Sequence, residues 1–461
     1  MMYDLLIRNG RIVDGSGNPW YAGNVAVSGD SIVAVEDLAA GSGRLEIDAK
    51  GLTVCPGFID IHTHSDLTLL VDGKGNSHVR QGVTTNVIGN CGDSTAPLAD
   101  RSIGSSKAKL KEQFPGLELN WRSLGEYLSR LEKQGVSVNV APLVGQGTIR
   151  NSVMGFDDGS PSPEEIEEMK KLVRQSMEDG AFGLSTGLIY VPGCYASTSE
   201  IVELAKVVAE CGGIYCSHIR GENDTLLDAV KEAIEIGRRA KLPVEISHFK
   251  AMGRHMWGKS VDTLKLVDEA RDEGIDVTCD QYPYNASATG LSAYLPPWTY
   301  VGGTESLMAR LSDPSTRARI RKDILEGLPG WVSLHKGVGW ENTLVTFCRR
   351  HDLEGLSITQ IAERSGKDPF DAAFDLLAEC EGQVEVVYFT IGDEDIERIM
   401  RHQAIMVGSD SSAIAVDGPL AAGKPHPRGF GTFVRVLGHY VREKGTVTLE
   451  NVMPKHSNKR T

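Results

Sequence analysis

Residues 57–66 read GFIDIHTHSD, an apolar run that ends in two imidazoles one residue apart, with Asp60 and Asp66 on either side. On a β-strand alternate side chains leave the same face, so His62 and His64 project together and can grip a metal ion. Other ligand types recur at the ends of short apolar runs. Cys91 closes GVTTNVIGNC, His218 closes GIYCSH, His248 closes LPVEISH and Asp410 closes QAIMVGSD. Taken singly, a histidine is usually a hydrogen-bonded structural residue, a cysteine is usually a buried small hydrophobe, and an aspartate in GSDSS is a candidate turn or cap residue. Their shared placement makes them a candidate metal set. His78, His255, His335, His351, His402, His439 and His456 carry no such placement, although His255 lies in the Gly-rich loop MGRHMWG.

The elements that must position these residues alternate in type. Eight candidate strands run through LTVCPGFIDIHTH, GVTTNVIGNC, VSVNVAPLVG, AFGLSTGL, GIYCSHIR, LPVEISHF, IDVTCDQYPY and QAIMVGSD, with amphipathic segments between them. In SPEEIEEMKKLVRQSMEDG, Ile166, Met169, Leu172, Val173 and Met177 fall at helical spacing, Ser162-Pro163 opens the helix and Gly180 stops it. Helices are likewise predicted over 199–210, 225–240 and 261–273. Short apolar strands alternating with helices imply a parallel sheet covered on both faces, and eight such units imply a closed (β/α)8 TIM-like barrel. Such barrels carry their chemistry at the C-terminal ends of the strands, where the candidate ligands lie.

The first 54 residues read differently, as short β-rich runs broken by Asn-Gly, Gly-Ser-Gly and Ser-Gly-Asp. The chain therefore divides into a small β-sandwich module formed mainly from residues 1–54, with part of 440–461 as a possible contributor, and a barrel over 55–440. Within the barrel, residues 285–400 form an insertion far longer than an ordinary connection, expected to wall or cover the mouth. Its aromatic residues, such as those of YLPPWTY, are equally suited to the core of a subdomain.

Composition bounds the partners. Of 461 residues, 41% are hydrophobic, and 62 acidic against 48 basic residues give a formal charge of −14. That balance disfavours nucleic-acid and anionic-membrane partners. Neither a signal-type N-terminus nor a run of roughly 20 apolar residues occurs, so a soluble cytoplasmic protein is expected. Eight cysteines without a CxxC pair do not make a disulfide scaffold.

From LLIRNGRIVDGSG through CPGFIDIHTHSD, GVTTNVIGNCG, FGLSTGLIYVPG, SHIRGE, EISHFKAMG, YPYNASATG and VGSDSSA to HPRGFGTF, the chain resembles the amidohydrolase superfamily, and within it the N-acyl-D-amino-acid deacylases. The resemblance implies one zinc position addressed by His62, His64 and Asp410, and another held by Cys91, His218 and His248, with one or two Zn2+ per subunit. Many relatives bridge two metals with a carboxylated lysine ending strand four. This chain has GLSTGL there, which fits a cysteine-using subgroup. Thiolate and imidazole ligands suit zinc. By resemblance, Tyr190, Tyr282 and Ser287 contact the scissile carbonyl and the substrate carboxylate.

Lys250, two residues beyond His248, offers a cation to that carboxylate. Asp410 is the expected proton carrier, taking a proton from water and returning it to the departing amine. Arg428 in HPRGFG is either structural or reaches the substrate.

The chain departs from the family pattern at Gln146, in GQGT where GHGT is expected. It departs again after GTVTLE, where the polar, basic NVMPKHSNKRT replaces the strands that complete the small module in relatives. The expected activity is zinc-dependent hydrolysis of small-molecule N-acyl-D-amino acids, with no oligomeric state implied. Alternatives are a cyclic-amide hydrolase of the dihydroorotase or hydantoinase kind, a deacylase restricted to D-glutamate or D-aspartate, and an inactive barrel serving as an oligomeric scaffold.

Overall fold

The computed structural model describes residues 2–36 and 41–457. Five strands open the chain: β1 (Met2–Ile12), β2 (Tyr21–Ser28), β3 (Ser31–Glu36), β4 (Ser42–Asp48) and β5 (Thr53–Val54). They form one mixed sheet in the order β3-β2-β1-β4, with β5 paired to β1. Gly15-Ser16-Gly17 and Ser28-Gly29-Asp30 connect the antiparallel pairs β1–β2 and β2–β3 as read, whereas Asn9-Gly10 lies inside β1 at a shift of register and β4 returns parallel to β1.

The barrel follows as β6 (Phe58–Asp60), β7 (Val83–Ile88), β8 (Asn139–Gly145), β9 (Gly183–Gly187), β10 (Ile214–His218), β11 (Val244–Ile246) and β12 (Val277–Gln281). Every neighbouring pair among them is parallel. Helices cross between them as the periodicity requires. One spans Pro163–Glu178, where Ser162 Oγ accepts the Glu165 amide and the Glu165 carboxylate accepts the Ser162 amide. Such a reciprocal cap is worth about 1 kcal/mol. Others cover Thr198–Glu210, Leu226–Ala240 and Ser260–Asp272. Their apolar faces and the outward side chains of β8–β12 make one continuous core, including Ile201, Val208, Tyr215, Val230, Val244 and Val267.

Residues between β12 and the last barrel strand build a layer of their own. Strands β13 (Ala286–Gly290), β14 (Thr343–Phe347) and β15 (Glu385–Phe389) form an antiparallel sheet in the order β13-β15-β14. Helices Thr304–Ser312, Pro314–Glu326, Ile358–Ser365 and Pro369–Glu379 lie in the same segment, and buried side chains from all four join its core. Tyr294 stacks on Trp340 at 5.3 Å within that core, beside Phe370 and Phe374.

The chain then rejoins the barrel at β16 (Ile405–Val407), parallel to β12. This strand is only three residues long, and closure onto β6 is made beyond it. Asp410 N donates to His62 O at 2.8 Å, His64 N donates to Ser411 O at 3.0 Å, and Thr63 bridges Ser411. Residues Leu449–Ser457 form a helix rather than a strand and set Val452 and Met453 into the cluster that holds Val13, Phe58 and Val83. Among the described residues no helix is long and apolar enough to cross a membrane.

Candidate metal centre and active site

The C-terminal ends of five barrel strands, β6, β7, β10, β11 and β16, bring six candidate ligands to one buried space. Cys91 Sγ lies 3.3 Å from His62 Nε2, 3.7 Å from His218 Nδ1 and 3.6 Å from His248 Nε2. His218 Nδ1 and His248 Nε2 are 2.8 Å apart. Across from the sulfur, Asp410 Oδ1 is 3.1 Å from His64 Nε2 and 3.5 Å from His62 Nε2. Two ligand triads result, His62-His64-Cys91 and Cys91-His218-His248, each with its donor atoms within 4.8 Å of one another.

Backbone conformation shows what this convergence costs. Cys91, His248 and Asp410 all have positive φ, at 53°, 38° and 50°. Non-glycine residues occupy that region at a cost of order 1–3 kcal/mol each, and persist there only where surrounding structure imposes it. Gly92, at φ 75°, continues the turn that aims Cys91 inward. That turn passes so close to the end of β9 that a Cβ on Gly187 would meet Cys91 O at 2.0 Å. Gly187 therefore has no room for a side chain beside the cysteine turn.

The donors are held from behind. His62 Nδ1 faces Asp280 Oδ2 at 2.9 Å, and His248 Nδ1 faces Glu222 Oε1 at 3.0 Å. Each carboxylate takes the proton on one ring nitrogen and leaves the other nitrogen's lone pair pointing inward, the tautomer a metal ligand needs. Burial opposes charge on both acids, but His62 holds Asp280 below the usual carboxylate range. Lys250 and His248 do the same for Glu222. Burial likewise opposes a thiolate at Cys91, yet His62, His218 and His248 pull the thiol well below its usual range. Such a donor set of thiolate, imidazole and carboxylate fits a divalent cation of borderline softness.

The expected substrate groups surround this centre. Lys250 is buried, and its ammonium donates to Glu222 and to His248 O at 2.7 Å. Tyr190 lies against the His218 ring at 4.9 Å and shares a hydrogen bond with Thr289 of β13 at 3.0 Å. Tyr282 and Ser287 share another at 2.7 Å, both buried. Arg428 donates to Asp410 Oδ2 at 2.6 Å and lies over the Tyr282 ring at 4.8 Å. Burial alone would raise the Asp410 carboxyl, but Arg428 and His62 outweigh it and hold Asp410 well below the ordinary range. Gln146 faces away from the donors, its amide donating to Glu200 Oε1 at 3.2 Å, and Arg150 completes that buried group at 2.6 Å from Glu200.

Glu222 and Asp280 were not singled out in the sequence. An acid four residues past His218 in SHIRGE, and one inside the apolar run of β12, were the available signals.

Fold and donor set together define a metal-dependent barrel hydrolase. The chain belongs to the amidohydrolase family, whose pattern matches residues 45–320, and within that family to the N-acyl-D-amino-acid deacylases. A D-aminoacylase from Alcaligenes xylosoxydans xylosoxydans is 34% identical over 452 residues, covering 98% of this chain and 82% of that protein. An N-acyl-D-glutamate deacylase from Bordetella bronchiseptica has been solved with zinc and a phosphonate inhibitor that mimics the tetrahedral intermediate. It superposes with a TM-score of 0.82 at 32% identity, covering 99% of this chain and 84% of that one. A D-aminoacylase with a binuclear metal centre, described by one-metal activation and second-metal attenuation, gives a TM-score of 0.79 at 34% identity over 98% of this chain and 84% of its own. Dihydroorotases are distant, at 22% identity.

Proposed function

We propose that this protein hydrolyses the amide bond of N-acyl-D-amino acids at a zinc centre held by His62, His64, Cys91, His218, His248 and Asp410. The observation that carries this reading is the Cys91 sulfur facing three imidazole nitrogens at 3.3–3.7 Å, with the Asp410 carboxylate across from it. That complete donor set speaks against an inactive scaffold, and the relatives at 34% identity support a linear rather than a cyclic amide. Zinc bound there supplies a Lewis acid that acidifies water and polarises a carbonyl, in a site built for one or two ions.

The remaining chemistry falls to the protein. Asp410 accepts a proton from the attacking water and delivers it to the departing amine nitrogen, which also takes up the water's second proton, so that amide and water become carboxylate and ammonium. Its low pKa makes it a reluctant base but, once protonated, a strong acid, which suits the second transfer. Arg428 stabilises the ionised state between turnovers. Tyr190, beside His218, donates its hydroxyl proton to the scissile carbonyl. Lys250, held by Glu222 and by the His248 carbonyl and ring, is the cation that attracts the substrate α-carboxylate, with Tyr282 and Ser287 beside it.

The test is turnover of N-acetyl-D-methionine by zinc-loaded protein, with the L enantiomer and dihydroorotate as controls. Hydrolysis of the D substrate alone, lost on chelation and regained with zinc, is expected. Equal hydrolysis of both enantiomers, or of dihydroorotate alone, would overturn the assignment.

A further inference from the structure

Strand β9 supplies none of the six donors, yet one of its side chains reaches the turn that carries Cys91. Ser185 is fully buried, in register between Gly145 of β8 and Cys216 of β10. Its hydroxyl donates to Gly89 O and accepts from Gly92 N at 3.0 Å. One oxygen therefore bridges the backbone on either side of Asn90 and Cys91.

The turn it spans is strained for a cysteine. Asp93 N donates to Asn90 O at 3.2 Å, with Cys91 at φ 53° and Gly92 at φ 75° as the two corners. Positive φ at both corners marks a type I′ turn, where glycine, asparagine and aspartate rest easily and other residues do not. Left to itself, such a turn relaxes by returning Cys91 to negative φ, which redirects its Cα–Cβ bond and carries the sulfur away from the imidazoles. The flanks block that path. Gly92 is buried, and a buried amide must keep a partner. Ser185 Oγ is that partner, and because the same oxygen holds Gly89 O, both ends of the turn are tied to β9. From the helix after β8, Thr148 N donates to Gly92 O at 3.2 Å and Thr148 Oγ1 accepts from Ser94 N at 2.9 Å, which fixes the other side.

We propose that Ser185 positions Cys91 for the metal: its hydroxyl, bridging Gly89 O and Gly92 N, holds the left-handed turn that aims the sulfur at His62, His218 and His248. Ser185 is a positioning residue, touching neither metal nor substrate, and its role rests on Cys91 being a ligand. The run GLSTGL, which offers no lysine to the centre, thus serves it through a serine that secures the ligand of a neighbouring turn.

Cobalt-substituted protein tests this, because a thiolate bound to Co2+ gives a near-ultraviolet charge-transfer band while chelator competition gives the metal affinity. Ser185→Ala removes one oxygen and adds no bulk. It should weaken Co2+ and Zn2+ by about 10–100-fold and diminish the thiolate band of the metal-saturated protein. Thr186→Val is the control, since it removes a hydroxyl of the same strand that meets Tyr215 and Ser217 rather than the cysteine turn. Its affinity and band should match those of the parent, although thermal unfolding of the metal-free proteins should show both variants destabilised. A parent-like affinity and band in Ser185→Ala, or an equal loss of both in Thr186→Val, would overturn the proposal and leave the metal assignment standing. A cobalt-loaded parent without the thiolate band would overturn Cys91 as a ligand, and this role of Ser185 with it.

Discussion

The backbone N–H of Asp410 donates to the carbonyl oxygen of His62 at 2.8 Å, so the bond that closes the barrel also sets the distance between two proposed metal ligands. Closure and coordination are one geometric fact here, because β16 ends at Val407 and the seam is completed by the ligand-bearing residues themselves. The two sides of the centre should nevertheless separate on mutation. Cys91 contributes to both triads, so Cys91→Ala should strip the metal. Asp410→Ala should keep most of it and lose turnover by about 10²–10⁴-fold, the usual worth of a proton carrier. Metal analysis beside kcat checks both, and an active Asp410→Ala protein would remove Asp410 from the proton path.

Arg428 and Asp410 form a buried ion pair at 2.6 Å. Arg428→Met would leave the Asp410 charge without its partner, and stability should fall by about 3–5 kcal/mol, as for other broken buried pairs. Arg428→Lys should lose less. Chemical denaturation of the metal-free proteins measures the difference, and an Arg428→Met midpoint equal to that of the parent would show that the pair carries no such weight.

How much of this was legible in the sequence depended on range. The eight barrel strands could be read because parallel strands buried on both faces are apolar runs, and the ligands because polar types at their ends break that rule. Glu222 and Asp280 escaped because their partners are far off in the chain: Asp280 meets His62 across 218 residues, and no local period encodes that pairing. The ion pair of Lys250 was equally hidden, since two-residue spacing gave its direction but not the Glu222 carboxylate waiting there. The insertion, read as a wall or a subdomain core, has a packed core of its own, and its strand β13 carries Ser287 and Thr289 to the tyrosines beside the candidate metal ligands.

Lys250 should reveal itself in binding rather than in chemistry. Lys250→Met is expected to cut kcat/KM for an N-acyl-D-amino acid by about 10–100-fold, the worth of one charge-assisted hydrogen bond, mainly through KM. An N-acyl amine lacking the α-carboxylate should be turned over alike by parent and variant. A matching loss on both substrates would place Lys250 outside carboxylate recognition.

His426 gives a pH dependence with a definite sign. Its Nε2 donates to Ala286 O and its Nδ1 accepts from the Arg428 amide, each at 3.0 Å, so the folded protein needs the neutral ring. Burial, reinforced by the Arg428 charge, lowers it from 6.5 to about 3. The unfolded chain therefore binds a proton that the folded chain refuses. Stability from this group is whole above pH 6.5 and declines as pH falls toward 3, by about 1.4 kcal/mol per pH unit. In metal-free protein, His426→Gln should flatten the acid limb of the stability profile by one proton. An unchanged slope would mean that His426 is protonated in the folded state.

Diffraction from crystals of the zinc-loaded protein, recorded on either side of the zinc absorption edge, tests the central claim most directly. An anomalous peak within bonding distance of Cys91, His218 and His248, with or without a second beside His64 and Asp410, is the result this account predicts. Zinc found only at surface carboxylates, with the space among those three side chains empty, would contradict it.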